Sequence, residues 1–393
     1  MPTSMHPQTA LDWAMRLIGY DTTSRESNLS LIDDVRQYLE GLGVSCVLTH
    51  DDTGAKANLF ATLPCATGQT TGGLVLSGHT DVVPVDGQQW SSDPFRAQVR
   101  DGRLYGRGAC DMKGFLGVVL HLVPEMLAAR LKHPLHLAFS YDEEVGCVGA
   151  PRLIHDLQAR GVSPAGCVVG EPTSMRTIVA HKGINVYRCR VHGRAAHSSL
   201  TPQGANAIEH AARLICAIRD IADGYKRNGP YDNAFDVPFT TLQTSMIRGG
   251  IALNTVPDLC EFEFEYRNLP GMNPDDIQRR IEHCITTAIE PALRAETPDG
   301  RVELQRLARA PGLDALEQAA VTQLVRALTH DSQVRKVAYA TEAGLFQQAG
   351  VPSVICGPGS IEQAHRPDEY VELDQLDQCE RFLRALVLTQ VSA

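Results

Sequence analysis

The stretch that decides the fold is Leu74-Val75-Leu76-Ser77-Gly78-His79-Thr80-Asp81. Residues 74–77 read as a buried strand, and the run passes directly into a histidine and an aspartate. The same pattern recurs twice. The apolar run 135–139 leads to Asp142-Glu143-Glu144, and 167–169 leads to Gly170-Glu171-Pro172. Residues 113–131 and 151–160 read as helices, so strands alternate with crossover helices as in an α/β domain. Open α/β sheets bind ligands beyond the carboxyl ends of their strands, so three polar clusters placed there predict one shared site.

Working outward, the texture changes at Gly183. Strand 185–191, helix 204–222, strands 241–246 and 261–266, helix 274–293 and strand 302–307 give the order β-α-β-β-α-β, the split βαβ module with two helices on one face. Asn273 is placed to cap the second helix, with Pro274 at its first position. The first helix carries one apolar stripe at Ala207, Ala211, Leu214, Ile218 and Ile221, facing its sheet, and a second at Ile208, Ala212 and Ile215, facing a partner. After Pro311-Gly312 the α/β texture returns with helix 314–328 and strands 337–340 and 352–356. The expected organisation is a discontinuous α/β domain, residues 1–183 and 311–393, interrupted by an inserted module at 184–310.

Composition narrows the function. At 393 residues, with 43% hydrophobic and 21% charged residues, the chain is an ordinary folded protein rather than a disordered one. A net charge of -10 repels polyphosphate, so no nucleic-acid partner is expected. The apolar stretch 115–131 is broken by His121, Pro124 and Glu125, short of the ~20 clean residues of a membrane helix. Residues 1–10 are polar and carry Pro2 and Pro7, without a signal-peptide pattern, so a cytoplasmic location is expected. Eleven scattered cysteines without Cys-x-x-Cys read as reduced hydrophobes, which leaves any metal to histidine and carboxylate.

Those residue types collect at the strand ends. A metal-bound imidazole needs its second nitrogen held by an acceptor, and an aspartate two positions along a strand lies on the same side, which suits His79-x-Asp81. Glu143 and Glu144 end a strand, where both can reach one cavity, one binding metal and the other free as a base. Asp111, Glu171 and His365 taken singly are helix-cap, turn and loop residues. Together, two histidines and three carboxylates on strand-end loops suit paired Zn(II) ions. The charges of Asp111, Glu144, Glu171 and a bridging hydroxide cancel those of two Zn(II), so a dry cleft can hold the set. Two metals with a free carboxylate suit hydrolysis of an amide or ester.

Across nearly its whole length the sequence resembles the acetylornithine deacetylase branch of the dinuclear zinc metallopeptidases and deacylases, which includes succinyl-diaminopimelate desuccinylase and aminoacylase. The motifs are residues 78–84 (Gly-His-Thr-Asp-Val-Val-Pro), 107–114 (Arg-Gly-Ala-Cys-Asp-Met-Lys-Gly), 142–144, 170–173 and 195–199 (Ala-Ala-His-Ser-Ser). Residues 341–344 and 357–365 complete the set. The resemblance implies a metallopeptidase-like catalytic domain, its central, mostly parallel sheet between helices, with a ferredoxin-like lid. It implies two Zn(II) per chain, replaceable by Co(II): His79 and Glu171 on one, Glu144 and His365 on the other, Asp111 on both. Asp81 would orient His79, Glu143 would shuttle the proton, and His197 of the lid would stabilise the oxyanion. Asn254 and Arg267 match substrate-recognising lid positions, and Arg267 suits a substrate carboxylate. Glu342, in the loop after strand 337–340, is the candidate partner for a substrate ammonium, or else a cap for the helix that follows. A cis peptide between Asp111 and Met112, a homodimer through the lid and an acetylated amino-acid substrate are implied as well. The expected reaction is cleavage of N-alpha-acetyl-L-ornithine to ornithine and acetate in arginine biosynthesis. The alternatives are succinyl-diaminopimelate or acetylcitrulline as substrate, or an inactive binding protein of the same fold.

Overall fold

The apolar runs pair into a six-stranded sheet. In the computed structural model, which describes residues 7–391, its strands lie in the order Cys46–His50, Ala57–Leu63, Leu135–Ser140, Leu74–His79, Gly166–Val169 and Ser353–Ile355. The last four run parallel, and the first two join them antiparallel. Every residue of Leu74–His79 and Leu135–Ser140 is buried, as parallel strands covered on both faces must be. Phe115, Leu116, Val119 and Val123 on the Gly114–Ala128 helix supply part of that cover. The packing admits no side chain at Gly170, where a Cβ would lie 2.2 Å from the Phe115 ring. The turn that releases Glu171 from its strand is therefore pressed directly against the helix.

The chain divides into two units. One runs to Ala180 and resumes at Leu313–Lys336 and from Thr341; the other is His181–Gly312 with Val337–Ala340. The second unit holds a four-stranded antiparallel sheet ordered Thr241–Gly249, Leu259–Asn268, Gly183–His192, Arg301–Ala310. Burial alternates residue by residue along Gly183–His192, the mark of a sheet with one face covered. Tyr187, Phe262, Phe264 and Tyr266 form that face and pack with Leu214, Ile218, Ile277 and Ile281 of the two helices.

Several boundaries differ from the sequence reading. The first helix of the module is Ala207–Asn228, with Asn206 as its cap; on the second stripe Ile208 and Ile215 are half-buried against the core, and only Ala212 is exposed. The run 274–293 is not one helix but Asp275–Cys284, a π turn Ile285–Ile289 and Glu290–Glu296. Pro291 cannot donate to the helical ladder, and the π turn absorbs the missing bond. The helix begins at Asp275 with Pro274, not Asn273, in the cap position, and Asn273 Oδ1 accepts from the Asp275 amide at 3.1 Å. The helix expected from residue 314 begins at Ala320, because Leu313–Asp314 is extended and the Ala315 amide continues that path by donating to Val179 O. Residues 337–340 are not a strand of the large sheet: only Lys336–Val337 is extended, and Val337–Ala340 belong to the second unit. All eleven cysteines are free, and among the described residues no helix is long and apolar enough to cross a membrane.

Candidate metal centre

Asp111 follows a glycine turn, where Gly106 and Gly108 have φ of 154° and 82°, and its peptide bond to Met112 is cis. One side-chain oxygen, Oδ1, lies 2.9 Å from His79 Nε2; the other, Oδ2, lies 3.5 Å from His365 Nε2. Glu171 joins the His79 side at 3.7 Å, and Glu144 joins the His365 side at 3.0 Å. The carboxylate thus faces two groups, each with one imidazole and one further carboxylate. His79, Glu143 and Glu171 also bring ligand atoms within 4.8 Å of one another, as do His79, Asp111 and Glu144. Both of these triads draw on His79, whose Nδ1 is committed to Asp81 O at 2.9 Å. Only Nε2, which faces Asp111, can serve as a ligand, so the triads are not two separate sites, and the division between the two oxygens of Asp111 describes the geometry better.

Asp81 does more than face His79, whose Nδ1 lies 3.5 Å from its Oδ1. Oδ1 accepts from the Glu143 amide at 3.0 Å, and Oδ2 accepts from the Glu144 amide at 3.2 Å and Ser24 Oγ at 2.7 Å. The turn carrying both glutamates is thereby hung from the strand that carries His79. Lys56 Nζ holds its other flank through Asp142 Oδ1 at 2.5 Å, and Cys147 Sγ donates to Glu143 Oε1 at 3.2 Å. Sequence spacing signals neither contact.

The donor set fits a pair of cations. Glu144 Oε1 is buried with no hydrogen-bond partner, and five carboxylates crowd around two imidazoles. Burial, opposed by His79 and reinforced by Glu144 and Asp111, pushes the Glu143 carboxyl up to about 8. Burial and Asp111 push Glu144 up to about 7 and Glu171 well above the carboxylate range. Against the cost of burial, Asp111 and Asp81 hold a proton on His79, and hydrogen bonds to Asp111 and Glu144 raise His365 to about 10. Without metal, protons must supply the positive charge this cluster requires.

Residues 75–389 match the model of peptidase family M20/M25/M40. The chain belongs to that family. Among M20 relatives it is 34% identical over 392 residues to the acetylornithine deacetylase of Pasteurella multocida (strain Pm70), covering 98% of each chain. It is 37% identical over 349 residues to the acetylornithine deacetylase of Klebsiella pneumoniae (strain 342), covering 88% of this chain and 87% of that one. Its fold matches the M20 metallo-carboxypeptidase Sso-CP2 from Sulfolobus solfataricus with a TM-score of 0.73 at 17% identity, over 96% and 98% of the two chains. The M20 dinuclear metal binding peptidase YXEP of Bacillus subtilis matches at 0.65 and 13%, over 97% of each.

The remaining expected site residues are Glu342, in the unit that holds the cluster, and His197, Asn254 and Arg267, in the other unit. Glu342 is buried, its Oε1 accepting from Ser77 Oγ at 2.6 Å and its Oε2 from Ser140 Oγ at 2.7 Å. It is neither the free anion expected of an ammonium partner nor a side-chain cap for Ala343–Gln348. Instead it clamps the two strands that carry His79 and the glutamate turn. In the second unit, exposed His197 and Asn254 are neighbours: Ser198 N donates to Asn254 O at 3.0 Å, and His197 pairs with Thr255. His197 and Thr255 form a separate two-stranded sheet, whereas Arg267 lies near the end of Leu259–Asn268 in the four-stranded one, bonded to Glu265 at 3.2 Å. Eight residues along one strand separate Leu259 from Arg267, roughly 27 Å, so this unit does not bring Arg267 to His197 and Asn254.

Proposed function

We propose that the chain removes the acetyl group from N-alpha-acetyl-L-ornithine, releasing ornithine and acetate as a cytoplasmic step of arginine biosynthesis. The observation that carries the chemistry is the split of Asp111 between two imidazole–carboxylate groups. His79 and Glu171 would hold one Zn(II), Glu144 and His365 the other, and Asp111 both, with Co(II) able to replace either. When bound, such ions polarise an acyl oxygen and make water acidic enough to attack near neutral pH. Glu143 takes the proton from the attacking water and delivers it to the departing amine. With Oε1 held by Cys147, Oε2 is the oxygen left to carry that proton. Asp81 keeps His79 and the Glu143 backbone in register while the proton moves.

The inserted unit supplies recognition. His197 stabilises the tetrahedral oxygen, Asn254 beside it contacts substrate, and Arg267 pairs with the α-carboxylate. Their separation within the unit supports delivery from two lids, Arg267 from one chain and His197 with Asn254 from its partner in a homodimer. Mixed inactive His197→Ala and Glu143→Gln chains should then regain activity; no recovery despite proven exchange of subunits contradicts sharing. Acetylornithine is favoured over other acyl-amino acids by the name its relatives carry at 34–37% identity. A panel of acetylated and succinylated amino acids assayed with Zn(II) and Co(II) tests this choice: acetylornithine should give the highest kcat/KM, and preference for a succinylated substrate would overturn it.

A further inference from the structure

A buried ion pair outside the ligand set connects the two loops that bring Asp111 and His365 together. Glu369 and Arg107 are each 1% exposed, and Arg107 donates to Glu369 Oε2 at 2.6 Å. The same carboxylate accepts the amides of Gly108 at 3.0 Å, Cys110 at 2.8 Å and Asp111 at 3.0 Å, so it grips the turn from which Asp111 projects. The other side of the guanidinium, stacked 5.0 Å over Trp90, donates to Gln88 Oε1 at 2.6 Å, and Gln88 Nε2 donates to His365 O at 2.9 Å. Arg107 also reaches Arg366 O at 3.3 Å. His365 has a left-handed φ of 64°, which a non-glycine residue keeps only where its surroundings impose it. Its backbone is thus fixed from the Asp111 turn through a chain of hydrogen bonds.

We infer that Glu369, Arg107 and Gln88 are positioning residues that set His365 against Asp111, and that Gln88, which bonds His365 and not the Asp111 turn, controls affinity for the ion on the Glu144–His365 side without affecting the His79–Glu171 side. The inference rests on the dinuclear reading of the site. Its chemistry is that of an outer shell: a ligand imidazole binds tightly only where its backbone holds it ready, and loss of such support typically costs roughly 10–100-fold in metal affinity.

Gln88→Glu isolates the last link. The substitution keeps an acceptor for Arg107 and for Trp90 Nε1, which donates to Gln88 Oε1 at 3.0 Å, but sets a carboxylate oxygen against His365 O where an amide donated. Metal-free wild type, Gln88→Glu and His365→Ala should be titrated with Co(II), following its absorption spectrum and metal content, with thermal melts of the metal-free proteins alongside. Wild type should take up two ions in two steps, and His365→Ala should lose one of them. Gln88→Glu should weaken the step that His365→Ala lacks by roughly 10–100-fold, leave the other unchanged and melt like wild type. If Gln88→Glu binds both ions as wild type does, or weakens both equally with a lowered melting temperature, the positioning role is overturned while the dinuclear reading stands. If wild type binds one ion, or His365→Ala keeps two, that reading fails and the inference with it.

Discussion

Replacing Asp81 by asparagine changes one atom at the point where three loops meet. The carboxylate accepts the Glu143 amide on one oxygen and, on the other, the Glu144 amide and the Ser24 hydroxyl. An asparagine can accept on one side only. Ser24 can turn to accept from the new NH2, so the favoured rotamer faces its nitrogen toward Ser24 and leaves the Glu144 amide without an acceptor. An orphaned buried donor costs about 1–3 kcal/mol. At about 2 kcal/mol, and about 2–4 °C per kcal/mol for a unit of this size, the melting temperature should fall by about 4–8 °C. The turn carrying Glu143 and Glu144 loosens and His79 loses its charged neighbour, so metal affinity should fall roughly 10–100-fold with the fold retained. Thermal melts of the metal-free variant, followed by metal titration and kcat, measure all three. A variant that melts with wild type and binds metal as tightly would refute the reasoning, because Asp81 would then support neither turn nor ligand.

Other outcomes follow from the same contacts. Glu143→Gln should keep metal and fold while kcat falls about 10²–10⁴-fold, whereas Glu144→Gln should lose metal; activity of Glu143→Gln rescued by added zinc would exchange the two roles. Glu342→Gln should lower kcat/KM equally for acetylornithine and acetylmethionine, since its oxygens hold Ser77 and Ser140; a loss confined to acetylornithine would return it to substrate binding. In the metal-free protein, Glu143 at about 8, Glu144 at about 7 and His365 at about 10 hold protons that the unfolded chain releases lower in pH. The native state binds more protons between about pH 5 and 9, so the metal-free melting temperature should fall as pH rises through that window, and Zn(II) should remove the slope. Within the cluster, Asp81 and Asp111 have lowered values and act only below it, while buried Lys113, lowered to about 7, opposes the slope above that value without reversing it. A flat metal-free profile contradicts the assignment.

What was legible in the sequence is what spacing records. A strand that ends in histidine or glutamate announces both its burial and its exit into a cleft, which is why 74–81, 135–144 and 167–171 point to one cluster. The order β-α-β-β-α-β over 185–307 likewise announced a sheet with its helices on one face. The supports were not legible, because they join distant residues: Glu369 meets the Asp111 amide across 258 positions, and Ser77 meets Glu342 across 265. A carboxylate in a loop looks alike in sequence whether it faces solvent, metal or three amides. Glu342 shows the cost, since its loop position after 337–340 suggested an anion for substrate, its place before a helix suggested a cap, and only the fold reveals two serines. The break at Ile285–Ile289 was partly readable from Pro291, and apolar periodicity alone concealed it.

The central claim is that Asp111 bridges two cations. Anomalous scattering from crystals of the Zn(II)-loaded protein tests it most directly. Two peaks should appear about 3.5–4 Å apart, one beside His79 and Glu171, the other beside Glu144 and His365, with one oxygen of Asp111 on each. A single peak in fully loaded protein, or a second ion held away from Asp111, would contradict the account.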